Sequence, residues 1–402
     1  METLLLTENM EKAAERIRQG GLVAVPTETV YGLAGNGLDE KAVAEIYEVK
    51  GRPAVKPLSL MVPDESAMER YCEEVPEQAH ALAKRFWPGP LTIVMKAKNF
   101  IPSLVLAGGE TVGLRCPDHP KTLELLRLCD LPLAAPSANP SGAESPKTAQ
   151  QVLNYFDGKI GAVIDGGPCG IGRESTLIDL SRRPFRILRE GALSTETIRA
   201  ALAEDLTLIG ITGTSGSGKT TALKELEALG ALVLDCDALY HELLDTDREL
   251  IAALDDAFPG TVADGVLDRK ALGSIVFASP EKLETLNAVT HAFVRRAVEK
   301  RLRDWAMRGG TLAAIDAVEL ISSGLSERCI ATVGVTADRD VRILRIMERD
   351  HITREAAEVR IDAQKADSYY RAHCTYILSN NADRERFAAD CRQLFKEILN
   401  HG

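Results

Sequence analysis

"LTLIGITGTSGSGKTT" spans residues 206–221 and reads as an apolar strand, a glycine-rich loop and the first turn of a helix. Gly213, Thr214, Ser215, Gly216, Ser217, Gly218, Lys219 and Thr220 fit the spacing G-x-x-x-x-G-K-[ST], with Thr221 following. The glycines let backbone N–H groups turn inward and cradle phosphate oxygens. Lys219 brings a point charge to the β- and γ-phosphates, and the Thr220 hydroxyl is a ligand for Mg²⁺. The helix predicted over about 219–229 aims its positive end at the same anion. A strand before the loop and a helix after it set this apart from a chance glycine-rich turn. About half the chain precedes the unit, so we expect an α/β protein of two domains, residues 1–204 and 205–402.

Bulk properties bound the remaining options. At roughly 100–200 residues per domain, 402 residues allow two to four domains. The chain is 45 % hydrophobic and 27 % charged, ordinary for a globular protein. No apolar run approaches the roughly 20 residues that span a bilayer. The opening "METLLLTENMEKAAERIRQGG" lacks the basic-then-apolar order of a signal peptide. These features predict a cytoplasmic protein without membrane contact. A net charge of −11 disfavours non-specific binding to nucleic acid, because phosphate contacts need Lys and Arg. No two of the eight cysteines stand at C-x-x-C spacing, so they read as buried small side chains rather than a thiolate metal site.

Beyond the loop, "ALVLDCDALYHEL" places Asp235 and Asp237 where a strand stops, and "TLAAIDAVEL" does the same for Asp316. Ligands of parallel α/β sheets bind outside the carboxyl ends of the strands. A carboxylate there can hold Mg²⁺ or take a proton from an acceptor hydroxyl. In residues 338–360, Arg345, Arg349 and Arg354 recur close to helical spacing. Behind a phosphate loop they read as a helical lid over the nucleotide.

"TGTSGSGKTT", "GALVLDCDALYHELL", "LDRKALGSIVFASPEKLETLNAVTHAFV", "RIMERDHITREAAEVRIDAQ" and "ILSNN" resemble, in that order, the dephospho-CoA kinase family across residues 206–400. The resemblance implies transfer of the γ-phosphate of ATP to the ribose 3′-hydroxyl of dephospho-CoA. It makes Asp237 the acceptor-side catalytic aspartate, puts Leu272, Phe277 and His291 around the acceptor, and gives Arg345 and Arg349 to the lid. Two stretches depart from the family pattern. His291-Ala292 stands where the family has His-Pro, and Val318-Glu319-Leu320-Ile321-Ser322 stands where it has PLLFE. Another small-molecule kinase of this fold is the alternative.

The first half has no phosphate loop. A strand over Leu22–Pro26 runs into the polar turn Thr27-Glu28-Thr29. A helix over about 39–49 delivers Lys50, Arg52 and Lys56 as a cluster suited to a polyphosphate. Ser137 and Asn139 follow an apolar strand, Arg115 and Arg189 end two others, and Ser175 follows a glycine-rich turn. Singly, each reads as turn chemistry; together they suggest one cleft. Ser194 or Thr195 caps a closing helix before the junction near residue 205.

Lys50 and Arg52 in K-x-R, Ser137 and Asn139 in S-x-N, "PTETVYGL", "WPGPLT" and "ESTLIDL" resemble the YrdC-type threonylcarbamoyl-AMP synthase family over about residues 8–203. The resemblance implies a twisted α/β sheet and the conversion of L-threonine, bicarbonate and ATP to L-threonylcarbamoyl-AMP and pyrophosphate. That product feeds tRNA modification through other threonylcarbamoylation proteins, with tRNA an indirect partner. By the same match Arg52, Lys56, Ser137, Asn139 and Arg189 hold ATP beside a catalytic Lys50, and Thr29, Arg115 and Ser175 hold threonine. Met61 stands where some members carry His. The alternatives for this half are a nucleotide- or RNA-binding module and another carbamoyl-adenylate enzyme.

Overall fold

A computed structural model describes residues 2–276 and 278–401. Phe277, assigned above to the acceptor side, lies outside the described residues. The chain divides into two compact units: Met1–Asp205 with Met307–Gly309, and Leu206–Ala306 with Gly310–Gly402.

Ten strands build the first unit: β1 (Leu4–Leu6), β2 (Val23–Val25), β3 (Gly32–Asn36), β4 (Ser59–Met61), β5 (Leu91–Lys96), β6 (Thr111–Arg115), β7 (Leu133–Ala134), β8 (Ala162–Ile164), β9 (Thr176–Asp179) and β10 (Arg186–Arg189). They form one mixed sheet in the order β1-β8-β2-β3-β7-β4-β6-β5-β9-β10. The helix Met10–Arg18 buries Met10, Ala13, Ala14 and Ile17, one stripe at helical spacing, in a core with β2, β8 and the helix Pro120–Cys129. The strand over Leu22–Pro26 is three residues long, and Ser194 caps the closing helix by accepting from the Thr197 amide.

The second unit holds β11 (Thr207–Gly213), β12 (Leu232–Asp235), the hairpin β13 (Val262–Ala263) and β14 (Val266–Leu267), β15 (Leu312–Asp316), β16 (Ala331–Thr336) and β17 (Tyr376–Ser379). Five of these form a sheet in the order β12-β15-β11-β16-β17, every pairing parallel. β16 is buried throughout, as expected of a parallel strand covered on both faces. Register fixes the site: Asp235 is opposite Asp316, and Asp316 is opposite Ile211. The phosphate loop therefore leaves β11 just beyond the two carboxylates.

One expected element divides. Residues 338–360 are not a single helical run. The helix Arg339–Asp350 ends at His351, which has φ 53, and Thr353 caps a second helix, Arg354–Asp362. Ile343 and Ile346 of the first pack on Ala357 and Ile361 of the second. Arg354 thus leaves the helix that carries Arg345 and Arg349. All eight cysteines are free thiols, and five of them are buried. Among the described residues no helix is long and apolar enough to cross a membrane.

Candidate active sites

In the first unit the polar strand ends converge on one cleft. Its wall includes Arg52, Ser137, Thr92, Arg115, Ser175, Arg189, Glu174 and Met61. The helix Glu40–Lys50 starts on Asp39, whose side chain accepts from the Lys41 amide, and stops at Gly51 with φ 59. That left-handed residue favours glycine and turns the chain so that Arg52 faces the cleft. Arg52 is fixed there by donating to the Lys56 and Pro57 carbonyls at 3.2 and 2.9 Å.

Lys50 has a different place. It is 3 % exposed, and its ammonium donates to the Ser137 and Asn139 carbonyls. It therefore braces the S-x-N loop from below and is not on the cleft wall. Burial, reinforced by the Arg52 charge, lowers its pKa to about 8. Asn139 Nδ2 donates to the Pro140 and Ala143 carbonyls at 3.0 and 2.7 Å. Its Oδ1 is a buried acceptor with no hydrogen-bond partner among the described residues. Lys56 is exposed and also off the wall.

The Arg115 cluster is tightly built. Arg115 is 7 % exposed, and its Nη2 donates to Glu28 Oε1 at 2.7 Å and Thr29 Oγ1 at 2.8 Å. Its Nε reaches the Gly89 carbonyl at 3.3 Å. Glu28 Oε2 accepts from the Asp118 amide at 3.0 Å, so Glu28 locks Arg115 from behind. Thr29 is fully buried, and its hydroxyl accepts from Arg115. Ser175 Oγ lies 2.8 Å from Thr92 Oγ1. Arg189 donates to the Ser175 carbonyl through Nε and Nη2, and to Glu174 through Nη1 at 2.7 Å. Sequence reasoning missed Thr92 and Glu174. Thr92 lay within "WPGPLT" and Glu174 opens "ESTLIDL", so both stood in stretches that carry the resemblance.

In the second unit the loop has the form its spacing predicts. Gly213 has φ 143, and a Cβ there would stand 2.3 Å from the Val335 carbonyl oxygen. Gly218 has φ 106, and a Cβ would stand 2.0 Å from Asn380 Nδ2. Gly218 also precedes the helix Lys219–Ala228, which has no side-chain cap. Its first amides are therefore left for an anion. The Thr214 and Ser217 hydroxyls are buried without a partner among the described residues. Lys219 Nζ lies 3.4 Å from Asp316 Oδ1. Burial raises the Asp316 pKa to about 6, Asp235 and Asp237 add to the rise, and Lys219 opposes it.

Asp237 opens the helix Cys236–Thr246, whose N-cap is Asp235, accepting from the Asp237 and Ala238 amides. A pocket beside the loop is lined by Asp237, Tyr240, Asn287, Thr290, His291, Val318 and Glu319, among others. It unites the acceptor-side Asp237 and His291 with the atypical Val318 and Glu319. Leu272 is not on its wall; it packs in the cluster of Leu250, Leu254 and Phe258. Of the lid arginines, Arg345 reaches the loop, donating to the Gly216 carbonyl at 3.2 Å. Arg349 instead pairs with Asp350 at 2.7 Å, and Arg354 with Asp340 and Glu358. Arg342, Gln364 and Asn380 also hold the loop and were not singled out in the sequence.

Comparison with known proteins separates the two halves. The family model Sua5_yciO_yrdC, described as Telomere recombination, matches residues 15–191, and the CoaE model, described as Dephospho-CoA kinase, matches residues 207–385. The threonylcarbamoyl-AMP synthase of Pyrococcus abyssi is 50 % identical over 192 residues, which are 48 % of this chain and 56 % of that protein. The chain thus spans about half the length of that relative. A relative from Methanocaldococcus jannaschii is 38 % identical over 184 residues, 46 % of this chain and 86 % of its own. The dephospho-CoA kinase of Geobacter sulfurreducens is 35 % identical over 184 residues, 45 % of this chain and 92 % of its own.

The chain belongs to two families: threonylcarbamoyl-AMP synthases in its first half, dephospho-CoA kinases in its second. The synthase unit holds the Arg52, Ser137 and Arg115 cleft; the kinase unit holds the phosphate loop and the Asp237 pocket.

Proposed function

We propose that the protein is a bifunctional enzyme. Its first unit makes L-threonylcarbamoyl-AMP, and its second phosphorylates the ribose 3′-hydroxyl of dephospho-CoA. Convergence carries this reading: one cleft gathers Arg52, Ser137, Arg115, Ser175 and Arg189, and one loop joins Lys219 and Asp316 beside the pocket of Asp237 and His291.

In the synthase cleft the Arg115 guanidinium pairs with the threonine carboxylate, with Thr92 and Ser175 as neighbouring hydroxyl partners. The threonine amine and bicarbonate give a carbamate and water. A carbamate oxygen then attacks the α-phosphorus of ATP, and the bond to pyrophosphate breaks. Arg52, Ser137 and Arg189 steady the triphosphate as charge moves to the leaving group. Lys50 keeps the Ser137–Asn139 loop in place. No side chain forms a covalent intermediate; positioning and fixed charge do the work.

In the kinase unit the acceptor hydroxyl gives its proton towards Asp237 and attacks the γ-phosphorus, and ADP leaves. Lys219 and the loop amides stabilise the transferred charge. The Asp316 carboxylate, which has only the ion pair to Lys219 among the described residues, and the exposed Thr220 hydroxyl would hold Mg²⁺, which when bound would neutralise charge on the β- and γ-phosphates. Among the described residues no group of three or more His, Cys, Asp or Glu could hold a metal. Mg²⁺ in such sites needs only one or two protein ligands besides water and phosphate.

Two assays on the full chain test the proposal: pyrophosphate release that requires both threonine and bicarbonate, and ADP release that requires dephospho-CoA. Absence of the first reduces the synthase unit to a binding module. Phosphorylation of a different acceptor in place of dephospho-CoA would assign the Val318 and Glu319 pocket another substrate.

A further inference from the structure

We propose that Arg342 and Gln364 are positioning residues that hold the phosphate loop in its nucleotide-binding shape and make that shape depend on the lid segment. The proposal rests on reading the loop as the kinase's nucleotide site.

Three consecutive loop carbonyls are held from outside. Ser215 O accepts from Arg342 Nε at 3.1 Å, Gly216 O from Arg345 Nη1 at 3.2 Å, and Ser217 O from Asn380 Nδ2 at 2.8 Å. A trans peptide is planar, so each carbonyl and the following N–H point in opposite directions. Pinning the Ser215 and Ser217 carbonyls outward therefore turns the Gly216 and Gly218 amides inward, where a phosphate oxygen is received. The Ser217 amide is already spent on the Thr214 carbonyl at 3.2 Å.

Gln364 completes the brace. Its Oε1 accepts from the Ser215 amide and from Arg342 Nη2, both at 3.0 Å. Its Nε2 donates to Ser215 Oγ at 2.9 Å. One amide thus engages both the backbone and the side chain of Ser215, and Arg342 closes the ring. Arg342 is 5 % exposed, with Asp367 Oδ1 3.9 Å from its Nη1. Both Arg342 and Gln364 bond to Ser215, and through it they act on the loop. Arg342 lies on the helix Arg339–Asp350, and Gln364 follows the helix Arg354–Asp362. A movement of either helix is thereby transmitted to the loop. The competing reading is that the bonds only hold the lid segment to the domain.

The test uses the full chain in an Arg52→Ala background, which removes a triphosphate contact of the synthase cleft, with Gln364→Leu and, as a milder variant, Arg342→Lys. Inorganic tripolyphosphate, which carries the phosphate chain without the base, is titrated by calorimetry, alongside kcat and KM for ATP and for dephospho-CoA. A brace of the loop predicts tripolyphosphate binding and ATP KM weakened about tenfold in Gln364→Leu and less in Arg342→Lys, with dephospho-CoA KM unchanged. Unchanged tripolyphosphate affinity in both variants overturns the proposal, as does an equal rise in both KM values, the mark of general loosening. If Gln364→Leu does not fold, the same readouts on Arg342→Lys decide. A wild-type chain that binds neither tripolyphosphate nor ATP overturns the nucleotide-site reading itself.

Discussion

Asp316 is a buried carboxylate whose cost to the fold can be measured directly. Its side chain is 12 % exposed, and burial raises its pKa from 3.8 to about 6 despite Lys219 at 3.4 Å. At about 1.4 kcal/mol per pKa unit, the ionised carboxylate costs the kinase unit about 3 kcal/mol at pH 7. The sign follows from proton linkage: between pH 3.8 and about 6 the folded state holds a proton that the unfolded state has lost, so stability falls as pH rises through this window. Asp316→Asn mimics the neutral form. The kinase unit should gain up to about 3 kcal/mol at pH 7 and roughly half of that at pH 5. Phosphoryl transfer should fall roughly 10²-fold, because the carboxylate that orients Lys219 and would hold Mg²⁺ is gone. The chain has two tryptophans, Trp87 in the synthase unit and Trp305 in the kinase unit. Trp305 Nε1 donates to the Leu312 carbonyl at 2.9 Å, so its fluorescence follows the opening of β15. Urea unfolding of Asp316→Asn in a Trp87→Phe background, at both pH values, reads the effect. A variant no more stable than its parent at pH 7, or one with the same gain at pH 5, would refute the reasoning.

Three other outcomes follow from the same geometry. In Glu28→Ala the buried Arg115 guanidinium loses its carboxylate, which should destabilise the synthase unit by about 3–5 kcal/mol, while Glu28→Gln keeps an acceptor and loses less; thermal unfolding and threonine KM measure both. Lys50→Met leaves the Ser137 and Asn139 carbonyls without their donor, so ATP KM of the synthase should rise while the kinase is untouched. Because the folded pKa of Lys50 lies near 8, below its ordinary 10.5, the wild-type synthase unit should gain stability relative to Lys50→Met as pH rises from 8 to about 10.5, and the difference should be flat below 8. Gly218→Ala forces a Cβ to within 2.0 Å of Asn380 Nδ2 at φ 106, so CoA formation should be lost with threonylcarbamoyl-AMP formation intact; product analysis by mass spectrometry tests this.

Much of this was legible in the chain because local chemistry dictates it. A glycine-rich turn between an apolar strand and a helix has few folds available, and residues at or just after strand ends, such as Arg115 and Ser137, come together on one cleft wall. The places of Lys50 and Arg349 were not legible, since each depends on a partner distant in sequence or on which way a long side chain turns. Lys50 is drawn under the loop by carbonyls 87 and 89 residues away. Arg349 is taken by its own neighbour, Asp350. Arg342 and Gln364, the latter ending "RIMERDHITREAAEVRIDAQ", do not stand out because their partner, Ser215, lies 127 and 149 residues earlier. The break at His351 went unread because a non-glycine residue in the left-handed region leaves no compositional mark.

The central claim is that two separate active sites occupy one chain. The most direct measurement is a single incubation of the full protein with ATP, Mg²⁺, L-threonine, bicarbonate and dephospho-CoA, read by mass spectrometry, beside Lys219→Ala and Arg52→Ala. The wild type should yield both threonylcarbamoyl-AMP and CoA, Lys219→Ala should lose CoA alone, and Arg52→Ala should lose threonylcarbamoyl-AMP alone. Loss of both products in either variant, or a wild type that makes neither, would contradict that claim.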